Sequence, residues 1–268
     1  MIRTVQQEGQ SCLQTAVTRL DQSRSDRLVT VVSTIHVGLA SYFAELNQVI
    51  ENHHGAVLYE GIGSLTEEDV AALTPEERRI YERVAPLHDL YEKFAQPLGL
   101  VFQGTAIHYD RERWINADVP LRRLLTLWAD QKAPLLPFDK IPAEIFETEQ
   151  SKRVAGLLLL QEPLLLSAFN GLRGWVPGLH RFSEVLIEER NRAAIAAFDS
   201  VPADQDVLII YGAGHVAGIM DALRERWYWR RSETWHTAFR GESLFPDFFG
   251  RVLDLLGLGG RRPSSPVY

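Results

Sequence analysis

The stretch Leu28-Val29-Thr30-Val31-Val32-Ser33-Thr34-Ile35-His36 decides the fold. From Val29 to Ile35 every residue but Ser33 is β-branched, a composition that suits a central strand covered on both faces. Upstream, Leu13 to Leu20 is also apolar with a β-branched core, and the polar run Asp21 to Asp26 between the two predicts a hairpin. Downstream the period changes. Leu39, Tyr42, Phe43, Leu46, Val49 and Ile50 follow helical spacing, and Ala56-Val57-Leu58-Tyr59-Glu60 then reads as a short apolar strand. Strand, helix and strand within about thirty residues form a βαβ unit, which requires the two strands to be parallel.

Working outward, the chain reads as an α/β protein: a central, mostly parallel sheet with flanking helices and a helical insertion or cap. One domain is expected over residues 1–258, with the insertion at about 64–175. A Gly/Pro/Ser-rich tail at 259–268 is expected to be disordered. Thr74-Pro75-Glu76-Glu77 combines a capping residue, proline at the first helical position and Glu three residues on, and predicts a helix to about Phe94. Residues 140–176 read as two or more helices broken at Pro163, and a short extended piece is expected near Gln103. The last third returns to α/β: a helix over Ser183 to Ser200 and a buried strand over Asp206 to Tyr211. Gly212-Ala213-Gly214-His215 is then a turn opening a helix to about Trp227. A closing strand and helix are expected within 233–257.

Composition narrows the function classes. The chain has 268 residues, 46% of them hydrophobic, enough to bury a sizeable core, and a net charge of −7. An acidic surface argues against nucleic-acid binding, which needs a basic face to neutralise phosphates. The one dense basic cluster places Arg224, Arg226, Arg230 and Arg231 among Trp227, Tyr228 and Trp229. Its simplest reading is an amphipathic surface helix or a partner contact. Cys12 is the only cysteine, so no internal disulfide can form, and its place in an apolar strand suits a small buried residue. The polar N-terminus lacks the apolar core of a signal peptide. The greasiest stretch, Val154 to Phe169, is shorter than the ~20 residues a bilayer span needs and is interrupted by Gln161, Glu162 and Pro163. These features predict a cytoplasmic protein with no integral membrane span. The apolar segment suits a buried helix pair or the interface of a homodimer.

Candidate chemistry collects at strand ends. His36 ends one strand, Glu60 ends the next, and His215 lies just past a third. In open α/β sheets ligands bind at the carboxyl ends of the strands, and neighbouring strands ~4.8 Å apart let their tip side chains converge on one atom. Two imidazoles and a carboxylate there could hold a divalent metal. Taken singly, a strand-end histidine is more often a cap or surface hydrogen-bonding group and a lone Glu60 a cap or salt-bridge partner, while the glycines around His215 allow close approach. Gly212 to Gly218 mimics a phosphate loop, but its Gly-x-Gly-x-x-x-Gly spacing is one residue too long and no acidic residue marks a following strand tip. In Glu188-Glu189-Arg190-Asn191-Arg192, a solvated charged face competes with a functional reading. In the latter Arg190 reaches the rim while Glu189 or Asn191 orients a ligand or water. Residues 103–118, with Gln103, His108, Tyr109, Asp110, Arg113, Trp114, Asn116 and Asp118, could line the substrate side. No nucleophile elbow, Cys-x-x-Cys pair, Walker loop or His-Glu-x-x-His helix occurs.

Four motifs in order carry a family resemblance: Ser33-Thr34-Ile35-His36-Val37-Gly38, Val57-Leu58-Tyr59-Glu60-Gly61, Glu189-Arg190-Asn191, and Gly212-Ala213-Gly214-His215-Val216-Ala217-Gly218-Ile219. Together they resemble the TraB/PrgY/GumN/TIKI superfamily, which is related in fold to the erythromycin-esterase-like and ChaN haem-binding proteins. The resemblance implies a divalent-metal-dependent hydrolase acting on peptides, with manganese, cobalt or zinc held by His36, Glu60 and His215. It implies catalytic roles for Glu60, Glu189 and Arg190, with Glu60 or Glu189 as general base and Arg190 on the oxyanion. Gln103, His108 and Asn191 would contact a peptide or small-molecule substrate. One departure is Ser33, where the family has glycine; its side chain would crowd the site or add a ligand. Two alternatives follow from the same resemblance. One is a non-enzymatic peptide- or haem-binding protein, with Tyr109 or His108 as axial ligand. The other is a metal-independent, erythromycin-esterase-like hydrolase with His36 or His215 as general base.

Overall fold

The computed structural model describes residues 1–22, 25–85, 91–93, 95–109, 111–133 and 179–241. The expected helices of 140–176, the apolar segment Val154 to Phe169 and the 259–268 tail lie outside these residues.

The fold is α/β around a seven-stranded mixed sheet. Its centre is parallel: β3 (Ser25–Thr34), β8 (Val207–Gly212), β5 (Ala56–Tyr59) and β7 (Trp114–Asn116) run side by side in that order. The other half is antiparallel. β2 (Gln10–Gln22) forms the expected hairpin with β3, and β1 (Ile2–Gln7) continues along the same edge of β2. The long β9 (Tyr228–Gly241) runs along the opposite edge, from Ser11 to Gln22. A two-residue ladder joins β4 (Val37–Gly38) to β6 (Val101–Phe102), the extended piece expected near Gln103.

The β-branched runs sit where burial on both faces demands them. Val29, Val31 and Val32 of β3 and Val207 to Tyr211 of β8 are all fully buried. One face of the sheet is covered by α1 (Ala40–Glu51), whose Tyr42, Phe43, Leu46 and Ile50 pack on Val32, Val57, Leu208 and Ile210. The other face is covered by the helices later in the chain, and Ala194, Phe198, Val216, Ile219 and Leu223 meet Val31, Leu58 and Ile209 there. Each fully buried aliphatic side chain contributes about 1.5–3 kcal/mol, so both interfaces contribute heavily to stability.

Residues 64–133 contain α2 (Glu67–Ala71), α3 (Pro75–Val84), the short α4 (Gln103–Ala106) and α5 (Leu121–Gln131). α3 starts where predicted, with a complete capping box. Thr74 Oγ1 accepts from Glu77 N (3.3 Å), and Glu77 Oε2 accepts from Thr74 N (2.9 Å). The helix ends at Val84 and the chain is helical again over residues 91–93; residues 86–90 and Phe94 lie outside the described residues. This region is more than a cap, because it also supplies β7, a strand of the main sheet. Late in the chain, α6 (Leu179–Ser183) passes through a π-helical turn at Glu184–Glu188 into α7 (Glu189–Ser200), and α8 (Ala213–Glu225) follows β8.

The arginine–tryptophan cluster is not an amphipathic helix. α8 stops at Glu225, Trp227 turns the chain with φ of 65°, and Tyr228 enters β9. Each arginine has an acidic partner: Arg224 with Asp221 (2.6 Å), Arg226 with Asp199 (2.7 Å), Arg230 with Glu233 (3.2 Å) and Arg231 with Asp21 (3.4 Å). Those pairs cancel the positive charge that phosphate binding would use.

Candidate functional site

Because β3, β8 and β5 are adjacent and parallel, the segments leaving their carboxyl ends share one rim. His36 follows β3, Glu60 follows β5, and His215 lies in the first turn of α8 after β8. Glu60 is tied down twice: its N–H donates to Ile210 O (3.0 Å), and its Oε2 accepts from Gly212 N (2.5 Å). The carboxylate lies directly over Gly212. A Cβ there would stand 3.0 Å from Oε2, so a larger residue would push the carboxylate away.

Arg190, at the start of α7, joins the rim into one cluster. Nε and Nη2 form a two-pronged bond with Asp118 Oδ1 (2.9 Å) and Oδ2 (2.7 Å). Nη2 also donates to Glu60 Oε1 (2.5 Å), and Nη1 to His215 Nε2 (3.2 Å). Four of the five guanidinium hydrogens are thereby committed, and the second hydrogen on Nη1 has no acceptor among the described residues. Asp118, just past β7, is fully enclosed and also accepts from Val119 N (2.7 Å) and Gly61 N (3.1 Å). Its four lone pairs are all engaged, so it works as the socket of Arg190.

These contacts fix the histidine tautomer. A guanidinium can only donate, so His215 Nε2 presents its lone pair, and the ring proton is on Nδ1. Nδ1–H donates to Asn191 Oδ1 (2.9 Å), and Asn191 Nδ2 donates back to His215 O (3.3 Å). The close helix approach this requires depends on Gly218, where a Cβ would fall 2.4 Å from Asn191 Nδ2. That explains the glycine spacing which resembles a phosphate loop: the glycines seat Glu60 and Asn191.

Burial would raise the carboxyl of Glu60, but the Arg190 guanidinium, helped by neighbouring imidazoles and the Gly212 N–H, brings it down to about 2. Burial lowers His215 to about 4; Glu60 opposes this and Arg190 reinforces it. Arg190 is raised because Glu60 and Asp118 outweigh its desolvation. At neutral pH the cluster therefore holds two carboxylates, one guanidinium and a neutral imidazole, a net charge of −1.

The other expected site residues fall into three groups. His36 is half-buried with its ring against Tyr91 (centroids 4.4 Å apart). It lies within electrostatic reach of Glu60 and His215 but bonds to neither among the described residues. Gln103 adjoins it, donating its N–H to His36 O (2.8 Å). Asn191, expected on the substrate side, instead has both ends of its amide on His215. Glu189 pairs with Arg192 at the surface (2.9 Å) and His108 is exposed, so neither is brought to the cluster. Ser33 is fully buried, and its hydroxyl has no partner among the described residues.

The metal expectation meets half of its donor set. Glu60 Oε1 and His215 Nε2 stand 3.6 Å apart, and Asn191 holds Nδ1 as a second-layer partner of a ligating histidine would. The guanidinium of Arg190 already lies against both donors, however, and among the described residues no three His, Cys, Asp or Glu side chains are placed to hold an ion. As they stand, these residues do not make a metal cage.

No family model matches the chain, and neither a curated protein nor a solved structure matches it. The likeness to the TraB superfamily thus rests on the four motifs alone.

Proposed function

We propose that the chain is a hydrolase of peptides or of small amides and esters, with its reaction centre at the rim of β3, β8 and β5. One observation carries the reading: a buried Asp118–Arg190–Glu60–His215 cluster, drawn from four separate chain segments, stands where open α/β sheets bind ligands. A purely structural role for such charges is poorly rewarded, since buried ion pairs seldom out-stabilise apolar packing.

His36 is the general base of this proposal. Its imidazole is only half-buried and within electrostatic reach of Glu60, whereas the His215 lone pair already accepts from Arg190. His36 takes a proton from the attacking water, and the ionised Glu60 stabilises the imidazolium that forms. The remaining N–H of Arg190 is available to the oxyanion. Asp118, Asn191 and Gly212 hold these groups in place. A free, buried Cys12 fits the cytoplasmic setting expected for such an enzyme.

The test is turnover of a panel of chromogenic peptide amides and esters by wild type and His36→Gln across pH 5–9. The variant should lose about 10²–10⁴-fold in kcat/KM. Equal profiles for the two proteins would eliminate His36 as the base.

A second reading keeps the divalent ion, manganese, cobalt or zinc. Glu60 Oε1 and His215 Nε2 face one another 3.6 Å apart, and the Arg190 guanidinium that now lies on both would have to withdraw to admit an ion. Bound there, the ion would acidify water and polarise a carbonyl. Elemental analysis of wild type and His215→Ala after incubation with each ion decides it. Stoichiometric metal lost in the variant supports the ion, and none in either protein removes it.

A further inference from the structure

Beside the rim lies a polar pair that the mechanism above leaves idle. Gln103 opens α4 directly after β6, is 9% exposed, and donates from Nε2 to the hydroxyl of Tyr109 (2.6 Å). Its Oε1 is buried with no hydrogen-bond partner among the described residues, and the Tyr109 O–H likewise has no acceptor there. Turning the carboxamide over changes nothing: Tyr109 would then donate to Oε1, leaving an unmatched Nε2–H beside an unmatched phenol lone pair. In either orientation the pair presents at least one free donor next to a free acceptor.

Such orphans are costly away from bulk water, so an arrangement that keeps both points to a ligand that answers both. The surroundings place that ligand at the reaction rim. Gln103 N is bonded to His36 O (2.8 Å), Tyr109 feels the charge of Glu60, and the Tyr109 ring packs against Tyr59 (5.1 Å) and Trp114 (6.1 Å). The aromatic wall would flank a flat group; the polar pair would grip its edge.

We propose that Gln103 and Tyr109 form a specificity subsite for a carboxamide, the peptide unit itself, and that they select amides over esters. The amide carbonyl accepts from the free donor of the pair, and the amide N–H donates to its free acceptor. An ester offers the carbonyl but no N–H, which leaves the buried acceptor unmatched, and a site built around such a bond rejects the analogue that lacks it. The inference rests on the hydrolase reading for the subsite's place beside the reacting bond, but amide recognition is measurable without turnover.

The experiment follows the Gln103 side-chain NH₂ resonances of the full chain by NMR during titration with N-methylacetamide and, separately, methyl acetate. Tyr109→Phe, which keeps the ring and its packing, is titrated in parallel. The Gln103 signals are assigned by their loss in Gln103→Glu. Saturable shifts with the amide, at least about tenfold weaker with the ester and with Tyr109→Phe, are expected. Equal response to both fragments, no response in wild type because the pair holds only water, or an undiminished response in Tyr109→Phe would each overturn the subsite. If the amide binds as expected while peptides are not hydrolysed, the subsite stands and the hydrolase reading falls.

Discussion

The molecule carries two arginine-centred clusters, and they behave as opposites. At the rim, one arginine binds two carboxylates and a histidine, and all four side chains are buried or nearly so. At the turn from α8 to β9, four arginines each meet a separate acid on or near the surface, beside Trp227 (63% exposed) and Trp229 (51% exposed). The surface cluster is the more conspicuous in sequence, because its arginines crowd into eight residues. The buried one is scattered, since Arg190 lies 72 positions from Asp118 and 130 from Glu60. Exposed pairs gain little Coulomb energy in water, while a buried charge deprived of its partner has nowhere to turn. Local density of charge is thus a poor guide to where charge matters.

The sharpest way to break this contrast is to remove the hub. Arg190→Met leaves Asp118 and Glu60 buried without their counter-charge, and urea unfolding should show a loss of about 3–5 kcal/mol. Arg190→Lys should recover little of it, because an ammonium cannot make the two-pronged bond to Asp118. A loss under about 1 kcal/mol in Arg190→Met would mean the cluster is energetically no different from the surface pairs.

The second effect is pH dependence. His215 titrates at about 4 in the folded protein against 6.5 ordinarily, so the unfolded chain binds the proton more readily between those values. Stability should be fully present above pH 6.5 and fall as pH drops towards 4, by roughly 3 kcal/mol for this group. Glu60 adds a further loss as pH falls from 4.5 towards 2. Unfolding free energy measured from pH 8 to 4 should decline in wild type and flatten in His215→Gln. Equal slopes would show that His215 is not held neutral.

A smaller loss is expected at Gly218. The added methyl of Gly218→Ala meets Asn191 Nδ2 at 2.4 Å and should push that side chain from His215, with about 1–3 kcal/mol of destabilisation. Smallest of all, Arg230→Ala and Arg231→Ala should each change stability by no more than about 0.5 kcal/mol. A larger loss at either would erase the distinction between the clusters.

How much of this was legible in the sequence follows from the range of the interactions. β3 and β8 could be read because burial on both faces forces an almost unbroken apolar run, and α3 because its capping box is local. β1 was missed because its mainly exposed residues leave little apolar pattern, and β7 because three residues carry no period. Asp118 was read only as one of the residues of 103–118 that could line the substrate side; missing β7 hid its pairing with Arg190, which the edge pairing with β5 makes possible. His36, Glu60 and His215 were visible as strand tips, and the structure joins Glu60 and His215 through Arg190. That Arg190 would sit between them, that Asn191 would turn to His215 and that Glu189 would face Arg192 depend on the orientation of α7 after its π-helical turn. No residue pattern in that helix announces it.

Whether the buried cluster serves a reaction or the fold is decided by Glu60→Gln. Unfolding free energy and kcat/KM for a peptide amide, measured on the same preparation, separate the two roles. A modest stability loss of about 1–3 kcal/mol is expected, with turnover reduced by about 10²-fold or more. Turnover that stays at the wild-type level in the folded variant would contradict a role in the reaction and leave the cluster as a structural clamp.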